Sequence, residues 1–138
     1  MASLAQKLNL KPGQLICLLE ATPETAQVVR AACDEALGDD ATLSETLDGA
    51  PFDMIFYWPR GLEGLAGRFA ALQRQIVSNG AIWVVIPKKA VAQRRGLTLT
   101  WEEMQAAALT TDLVDNKNAS MTDEEYGTRF VIRKERRR

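Results

Sequence analysis

Three short apolar runs constrain the fold of this chain more than any other feature. They lie within Gln14–Glu20, Phe52–Trp58 and Ala81–Ile86, and the second and third are followed directly by proline. Continuous apolar runs of this length are typical of strands that are buried on both faces, as in a parallel sheet covered by helices on each side. The sequence therefore predicts three central strands of such a sheet.

Helical segments alternate with these strands. Thr22 can cap a helix that has Pro23 at its first position and stops at Gly38. Thr100 and Glu103 have the spacing of a capping box, which predicts a helix from there to about residue 110. A further helix is predicted over residues 61–78, ended by Asn79-Gly80, because five apolar side chains recur at helical spacing: Leu62, Leu65, Phe69, Leu72 and Ile76.

The remaining segments complete an α/β fold. Residues 3–10 predict a short leading helix, residues 41–47 are compatible with an edge strand, and residues 88–97 predict a basic loop. Two polar-rich segments, 114–120 and 128–133, predict a closing antiparallel hairpin. We therefore expect one domain over residues 1–138, with a mostly parallel sheet between two helical layers.

The composition excludes several chemistries. The chain has no histidine, which removes Ser-His-Asp and Cys-His nucleophile systems and the usual zinc and iron sites, so no metal is predicted. Its two cysteines, Cys17 and Cys33, fall on a strand and on the following helix. The spacing of about 10 Å between layers exceeds the reach of a disulfide, so both are predicted to be small buried side chains.

Charge and hydropathy narrow the range of partners. The net charge is −1, although residues 88–138 carry 11 basic and 8 acidic side chains. This balance argues against nucleic acid as a partner. No apolar run is long enough to cross a membrane and the first ten residues lack a signal-peptide pattern, so a cytoplasmic protein is expected.

The chain resembles two known families. Ser78–Val85, together with a final helix followed by a hairpin, resembles the corresponding region of class I methyltransferases, which implies a Rossmann-like fold. Nearly the whole chain also resembles an uncharacterised bacterial family, a domain of unknown function, from which no activity can be transferred. The segments that carry this second resemblance are Leu4–Leu8, Lys11–Gly13, Trp83–Lys89, Leu113–Ser120 and Gly127–Arg133.

This chain departs from that family's pattern at two places. The family tends to have tryptophan where Tyr126 stands, and its loop after the paired lysines usually leads to threonine-aspartate-leucine, unlike residues 93–100 here. The resemblance to the family therefore implies least about a ligand of that loop.

The turn after the first strand lacks the residues of a cofactor cradle. Dinucleotide and methyltransferase folds need glycine there, so that the backbone can approach the cofactor. Residues 20–25 contain no glycine, and Pro23 and Glu24 occupy the helix start. No cofactor is therefore predicted, and S-adenosylmethionine stays as an alternative, because its binding is not excluded by charge.

Candidate ligand-binding residues follow the strands at their carboxyl ends, where ligands of doubly wound sheets bind. They are Tyr57, Trp58, Arg60, Lys88 and Lys89, and aromatic rings beside cations suit a flat anionic ligand or a nucleotide. In the alternative interpretation, the two rings pack beneath the next helix and the lysines are only solvated.

Asp115 and Lys117 are also candidates, because polar residues within a strand require partners. One interpretation is an ion pair between Asp115 and Arg129 across the hairpin. The other places Asp115 and Lys117 in a site with Lys88 or Lys89, where a buried acid and lysine could transfer protons.

The sequence leaves three functions open. The first is a non-catalytic, methyltransferase-like binding module for a small anionic ligand or a protein partner. The second is an atypical group transferase that uses S-adenosylmethionine. The third is a self-associating protein that pairs through its hairpin or edge strand, which would make it a homo-oligomer.

Overall fold

The computed structural model of the chain describes residues 3–38 and 42–137, and shows one mixed sheet between two helical layers. The strands are β1 (Leu15–Leu19), β2 (Thr42–Ser44), β3 (Phe52–Tyr57), β4 (Ile76–Pro87), β5 (Leu113–Ser120) and β6 (Glu125–Ile132). The helices are α1 (Leu4–Lys7), α2 (Pro23–Leu37), α3 (Leu65–Gln73), α4 (Lys89–Arg94) and α5 (Trp101–Leu109), and a 3₁₀ turn spans Lys134–Arg136.

The six strands run in the order β2-β1-β3-β4-β6-β5. Strands β2, β1, β3 and β4 are parallel, whereas β6 lies antiparallel between β4 and β5. The mostly parallel sheet and the closing hairpin confirm the predicted fold class. The strand order reverses between β1 and β3, and ligands of doubly wound sheets bind at such a switch point.

Side chains alternate between two cores, one on each face of the sheet. In β1, Ile16 and Leu18 belong to the core beneath α1 and α2, whereas Cys17 and Leu19 belong to the core beneath α3 and α5. Both cysteines are free and buried, as predicted, and Cys33 lies in the first core. Burial raises the pKa of each thiol to about 11.

The helix predicted over residues 61–78 is wrong at both ends. Leu62 is 44% exposed, because Gly64 adopts a left-handed conformation and α3 begins only after it. Asn79 and Gly80 lie inside β4 instead of ending a helix. A Cβ on Gly80 would stand 2.9 Å from the carbonyl oxygen of Asp53, so glycine permits the close approach of β3 to β4 here.

Other predicted boundaries shift by a few residues. The basic loop contains α4, and the hairpin loop has four residues because β6 begins at Glu125 rather than at Thr128. The predicted edge strand is β2, while residue 41 of that prediction lies outside the described residues. The capping box of α5 is confirmed, since the hydroxyl of Thr100 accepts from the backbone of Glu103 and its backbone donates to the Glu103 carboxylate.

Candidate functional site

A cleft of about 470 Å³ opens at the carboxyl edge of the sheet, beside the switch point. Its walls come from the start of α2, from the segment after β3, from the ends of β4 and α4, and from the hairpin. The lining residues are Thr22, Pro23, Glu24, Thr25, Trp58, Pro59, Arg60, Val85, Pro87, Arg95, Leu97, Thr122, Glu124 and Glu125.

A buried carboxylate, Glu125, forms the centre of the polar network on one wall. Its residue is only 2% exposed, and its Oε1 accepts hydrogen bonds from the hydroxyls of Thr22, at 2.9 Å, and of Thr25. Its Oε2 accepts from Nη1 of Arg95 at 2.9 Å. A buried charge is tolerable only when its oxygens are satisfied in this way.

The arginine of this network is shared between two carboxylates. Nη2 of Arg95 lies 2.8 Å from Glu124, whose other oxygen lies 3.7 Å from Arg94. Burial by itself raises the pKa of Glu125, but hydrogen bonds from Thr25, Arg95 and Thr22 outweigh burial and hold that pKa below its usual range. Glu125 is therefore ionised at neutral pH.

The start of α2 is built around this carboxylate. Thr22 is the N-cap residue, yet its side chain makes no capping bond, because its hydroxyl donates to Glu125 instead. The carboxylate thus lies at the positive end of the α2 dipole, where a bound anion would otherwise be stabilised. Glu20, in the preceding turn, adopts the left-handed conformation, with φ of 59°, that glycine would adopt without strain.

The segment after β3 lines the cleft with Trp58 and Arg60. Trp58 is 3% exposed, and its indole N–H has no hydrogen-bond partner among the described residues. Arg60 is exposed and donates only to the carbonyl oxygen of Glu20, at 3.4 Å, without an ion pair in the described part of the chain. Buried donors are rarely left unpaired, so Trp58 requires an explanation.

The candidate residues Tyr57 and Trp58 do not form a joint platform. Neighbouring residues of a strand point to opposite faces, and Tyr57 packs in the α3 core, edge-on to Phe69 and beneath the guanidinium of Arg68. Burial, followed by the charge of Glu20, raises the pKa of Tyr57. Of the two rings, only Trp58 lines the cleft.

The two candidate lysines, Lys88 and Lys89, do not line the cleft either. Lys88 is exposed and caps α4, and its side chain lines no wall of the cleft. Lys89 lines a second cavity that lies beside Ile86, on the other face of the sheet.

The structure places Asp115 and Lys117 on the outer strand β5, away from this edge. In the register of the sheet, Lys117 lies opposite Arg129 of β6. Arg129 is four residues from Glu125 along that strand, which separates them by about 13 Å. Asp115 accepts from Nε2 of Gln105 at 3.0 Å. The expected ion pair between Asp115 and Arg129 is wrong, because a bulge follows Asp115 and the guanidinium donates to Asn116 instead.

The buried network around Glu125 was not predicted from sequence. Its members lie far apart in the chain, since Thr25 and Glu125 are separated by 100 residues. A signal was nevertheless present, because the adjacent arginines 94–95 and the adjacent glutamates 124–125 are short runs of opposite charge. The arginines lie in the predicted basic loop after the third strand and the glutamates lie between the two strands of the predicted hairpin, so the two runs could have been paired.

The described residues show neither a metal centre nor a membrane span. Within 3–38 and 42–137, no three acidic or cysteine side chains cluster in a way that would bind a metal ion. No helix in these same ranges has both the length and the apolar character that crossing a bilayer demands.

Several solved structures with a similar fold are methyltransferases. A methyltransferase from Aquifex aeolicus that depends on S-adenosylmethionine (SAM) has a TM-score of 0.62 at 10% identity, over 94% of this chain and 88% of that chain. The N-methyltransferase NodS from Bradyrhizobium japonicum scores 0.56 at 11% identity, over 92% of both chains. A TehB-like SAM-dependent methyltransferase from Corynebacterium glutamicum has a TM-score of 0.55 at 11% identity, over 94% of this chain and 86% of that chain. These likenesses establish a methyltransferase-like fold.

Sequence comparison identifies the family. No curated protein sequence matches the chain. The family described as "Protein of unknown function (DUF3052)" matches residues 5–134, which confirms the resemblance to a domain of unknown function. The chain, a methyltransferase-like α/β domain, therefore belongs to the DUF3052 family.

Proposed function

We propose that this chain is a non-catalytic binding module that takes a small anionic ligand in the carboxyl-edge cleft. The observation that carries the proposal is the segment after β3, which lines the cleft with two free recognition groups. The buried indole N–H of Trp58 has no hydrogen-bond partner among the described residues, and the exposed guanidinium of Arg60 makes no ion pair there. An unsatisfied buried donor costs free energy, which an acceptor on a ligand would offset. The cleft volume of about 470 Å³ also suits a small molecule better than a protein surface.

The charges of the lining favour an anion beside Arg60. Arg94 and Arg95 together balance the charges of Glu124 and Glu125, which leaves Arg60 and the exposed Glu24 as the lining charges without an ion pair among the described residues. A ligand with an anionic group for Arg60 and a neutral or cationic remainder fits this pattern. A pyrophosphate at the start of α2 does not, because Glu125 already lies there.

The buried network supports binding rather than catalysis. A general base is most effective when its pKa lies near the working pH. The pKa of Glu125 is instead held below its usual range, and both of its oxygens accept hydrogen bonds within the protein. With no histidine in the chain, the cleft lacks the side chain that most often transfers protons at neutral pH.

A group transferase that uses S-adenosylmethionine is the second candidate. The fold of the solved neighbours favours it. The compound carries a carboxylate and a cationic sulfonium, which would match the free charges of Arg60 and Glu24. Pro23, at the start of α2, opposes it, because proline removes a backbone donor from the helix N-terminus.

A thermal-shift screen tests the proposal. The compounds are S-adenosylmethionine, S-adenosylhomocysteine, adenosine monophosphate and inorganic phosphate. A ligand at 100 times its Kd adds about 2.7 kcal/mol to the free energy of unfolding, which raises Tm by several degrees. We expect an anionic compound to do so in the wild-type protein and in Arg74→Gln, but not in Arg60→Gln.

Arg74 is the matched control, because it is an exposed arginine at the end of α3, away from the cleft. Stabilisation that survives Arg60→Gln would overturn the proposed site. Stabilisation by S-adenosylmethionine, accompanied by methyl transfer to an acceptor, would overturn the non-catalytic role. No stabilisation by any compound would overturn the small-ligand proposal in favour of a protein partner.

A further inference from the structure

A second cavity, of about 460 Å³, lies on the opposite side of β4 from the cleft. Val85 lines the cleft and its neighbour Ile86 lines this cavity, and successive residues of a strand face opposite sides of a sheet. The cavity is enclosed by α4, by the loop to α5 and by β6. The two cavities share Pro87 and Leu97, but their other lining residues differ, so the second cavity is a distinct candidate site and its proposal does not rest on the function proposed for the cleft.

Two aromatic rings, those of Trp101 and Tyr126, line this second cavity. Both residues are half-buried, and the Trp101 indole N–H donates to the Thr128 hydroxyl at 2.9 Å, which holds the ring in one orientation. Ile86 and Leu99 are buried in the core beneath them. Fixed rings above an apolar floor offer stacking surface to a planar ligand.

Two hydrogen-bond donors of this cavity are without a partner among the described residues. Lys89 is exposed and makes no ion pair there, and no described residue hydrogen-bonds to the Tyr126 hydroxyl. Burial, followed by the charge of Glu102, raises the pKa of Tyr126, so this hydroxyl keeps its proton. The cavity therefore combines apolar walls with a cation and a neutral donor, while Glu102 disfavours an anion on its own side.

We propose that this cavity binds a planar aromatic carboxylate. The aromatic ring packs against Trp101 and Tyr126, and the carboxylate accepts hydrogen bonds from the Lys89 ammonium. Small-molecule sites typically have this composition, a mainly apolar pocket with a few polar groups that fix the orientation of the ligand. The Tyr126 hydroxyl is a second donor for the same group.

The test is a titration of the ¹⁵N-labelled protein with 2-naphthoate and, as a neutral control, 2-naphthamide. The chain has three tryptophans, so each indole N–H reports one location: Trp58 the cleft, Trp83 the core and Trp101 the second cavity. We expect the Trp101 signal to move with both compounds, while the other two signals stay in place.

The charge of Lys89 is tested by a pair of variants. Lys89→Gln should weaken 2-naphthoate about two- to fivefold, as expected for an exposed ion pair, and should leave 2-naphthamide unchanged. Lys88→Gln is the matched control, because the neighbouring lysine is also exposed and lines neither cavity. It should bind both compounds as the wild-type protein does.

Three results would overturn the proposal. One is a Trp101 signal that does not move at millimolar 2-naphthoate, and another is movement at Trp58 alone, which would assign the compound to the cleft. The third is equal weakening by the two lysine variants, which would indicate only a general charge effect. The two lysines are exposed, so we expect both variants to fold, and the spectrum itself verifies this.

Discussion

Removal of the buried charge at Glu125 tests the network that shapes the cleft. Glu125→Gln keeps the size of the side chain and one acceptor oxygen, so the threonine hydroxyls retain a partner. It replaces the charged oxygen that Nη1 of Arg95 contacts at 2.9 Å with a neutral amide NH₂, which cannot accept a hydrogen bond from the guanidinium. The effect on stability therefore reports mainly the charged contact between these two side chains.

The expected loss depends on the burial of the two partners. A hydrogen bond between charged groups contributes about 1.5–3 kcal/mol to the free energy of unfolding. The Arg95 side chain is 33% exposed and keeps its contact with Glu124 at 2.8 Å, which lowers the penalty. We therefore expect Glu125→Gln to cost about 1.5–2.5 kcal/mol, which lowers Tm by roughly 5–10 °C in a domain of this size.

Urea unfolding and thermal melts of Glu125→Gln and Glu124→Gln at pH 7 measure this difference. Glu124 is the matched control, because it contacts the same arginine but its side chain is 44% exposed. Its substitution should cost about 1 kcal/mol or less, as is usual for exposed ion pairs. Equal losses in the two variants would refute the idea that burial makes the Glu125 contact the stronger one.

The same structure makes three further predictions. The pKa of Glu125 is depressed in the folded protein, so its contribution to the free energy of unfolding is present above the ordinary pKa of 4.5 and is lost as pH falls through the folded-state pKa. Thermal melts between pH 6 and 3 should therefore show a shallower fall in Tm for Glu125→Gln than for the wild-type protein. Gly127→Ala would place a Cβ directly against the terminal methyl of Met121 and 3.0 Å from the buried ring of Trp83, and should cost about 1–3 kcal/mol in urea unfolding. Gly67→Ala, whose Cβ meets no atom within 4 Å in helix α3, should instead stabilise by about 0.5–1 kcal/mol, and the same sign for both variants would contradict this prediction. The two cysteine thiols, buried and with pKa values raised to about 11, should react with a thiol reagent such as Ellman's only after unfolding, and rapid reaction in buffer at pH 7 would contradict their burial.

The strands were predictable from sequence because their burial on both faces leaves an uninterrupted apolar run. The same reasoning failed at α3, where Leu62 and Ile76 have helical spacing but lie outside the helix. Gly64 in a left-handed conformation fixes the start of α3, and the extension of β4 back to Ile76 fixes its end. Both depend on tertiary packing, which periodicity alone does not reveal.

The candidate site was predictable only in its location. The rule that ligands bind at the carboxyl ends of parallel strands identified Trp58 and Arg60, which line the cleft. The rule does not tell on which face of the sheet Tyr57 and Lys89 lie, because their faces depend on the pleat of the strand and on the path of α4. Nor could it find Glu125, whose partners are brought together by the antiparallel insertion of β6 beside β4.

Calorimetric titration of the wild-type protein, Arg60→Gln and Arg74→Gln measures ligand binding at the cleft. The titrants are adenosine monophosphate, S-adenosylmethionine and inorganic phosphate, each at millimolar concentration. We predict that at least one of them binds the wild-type protein and Arg74→Gln with the same Kd, and binds Arg60→Gln about fivefold more weakly or not at all. Equal Kd values in all three proteins, or no heat of binding with any titrant, would contradict this prediction.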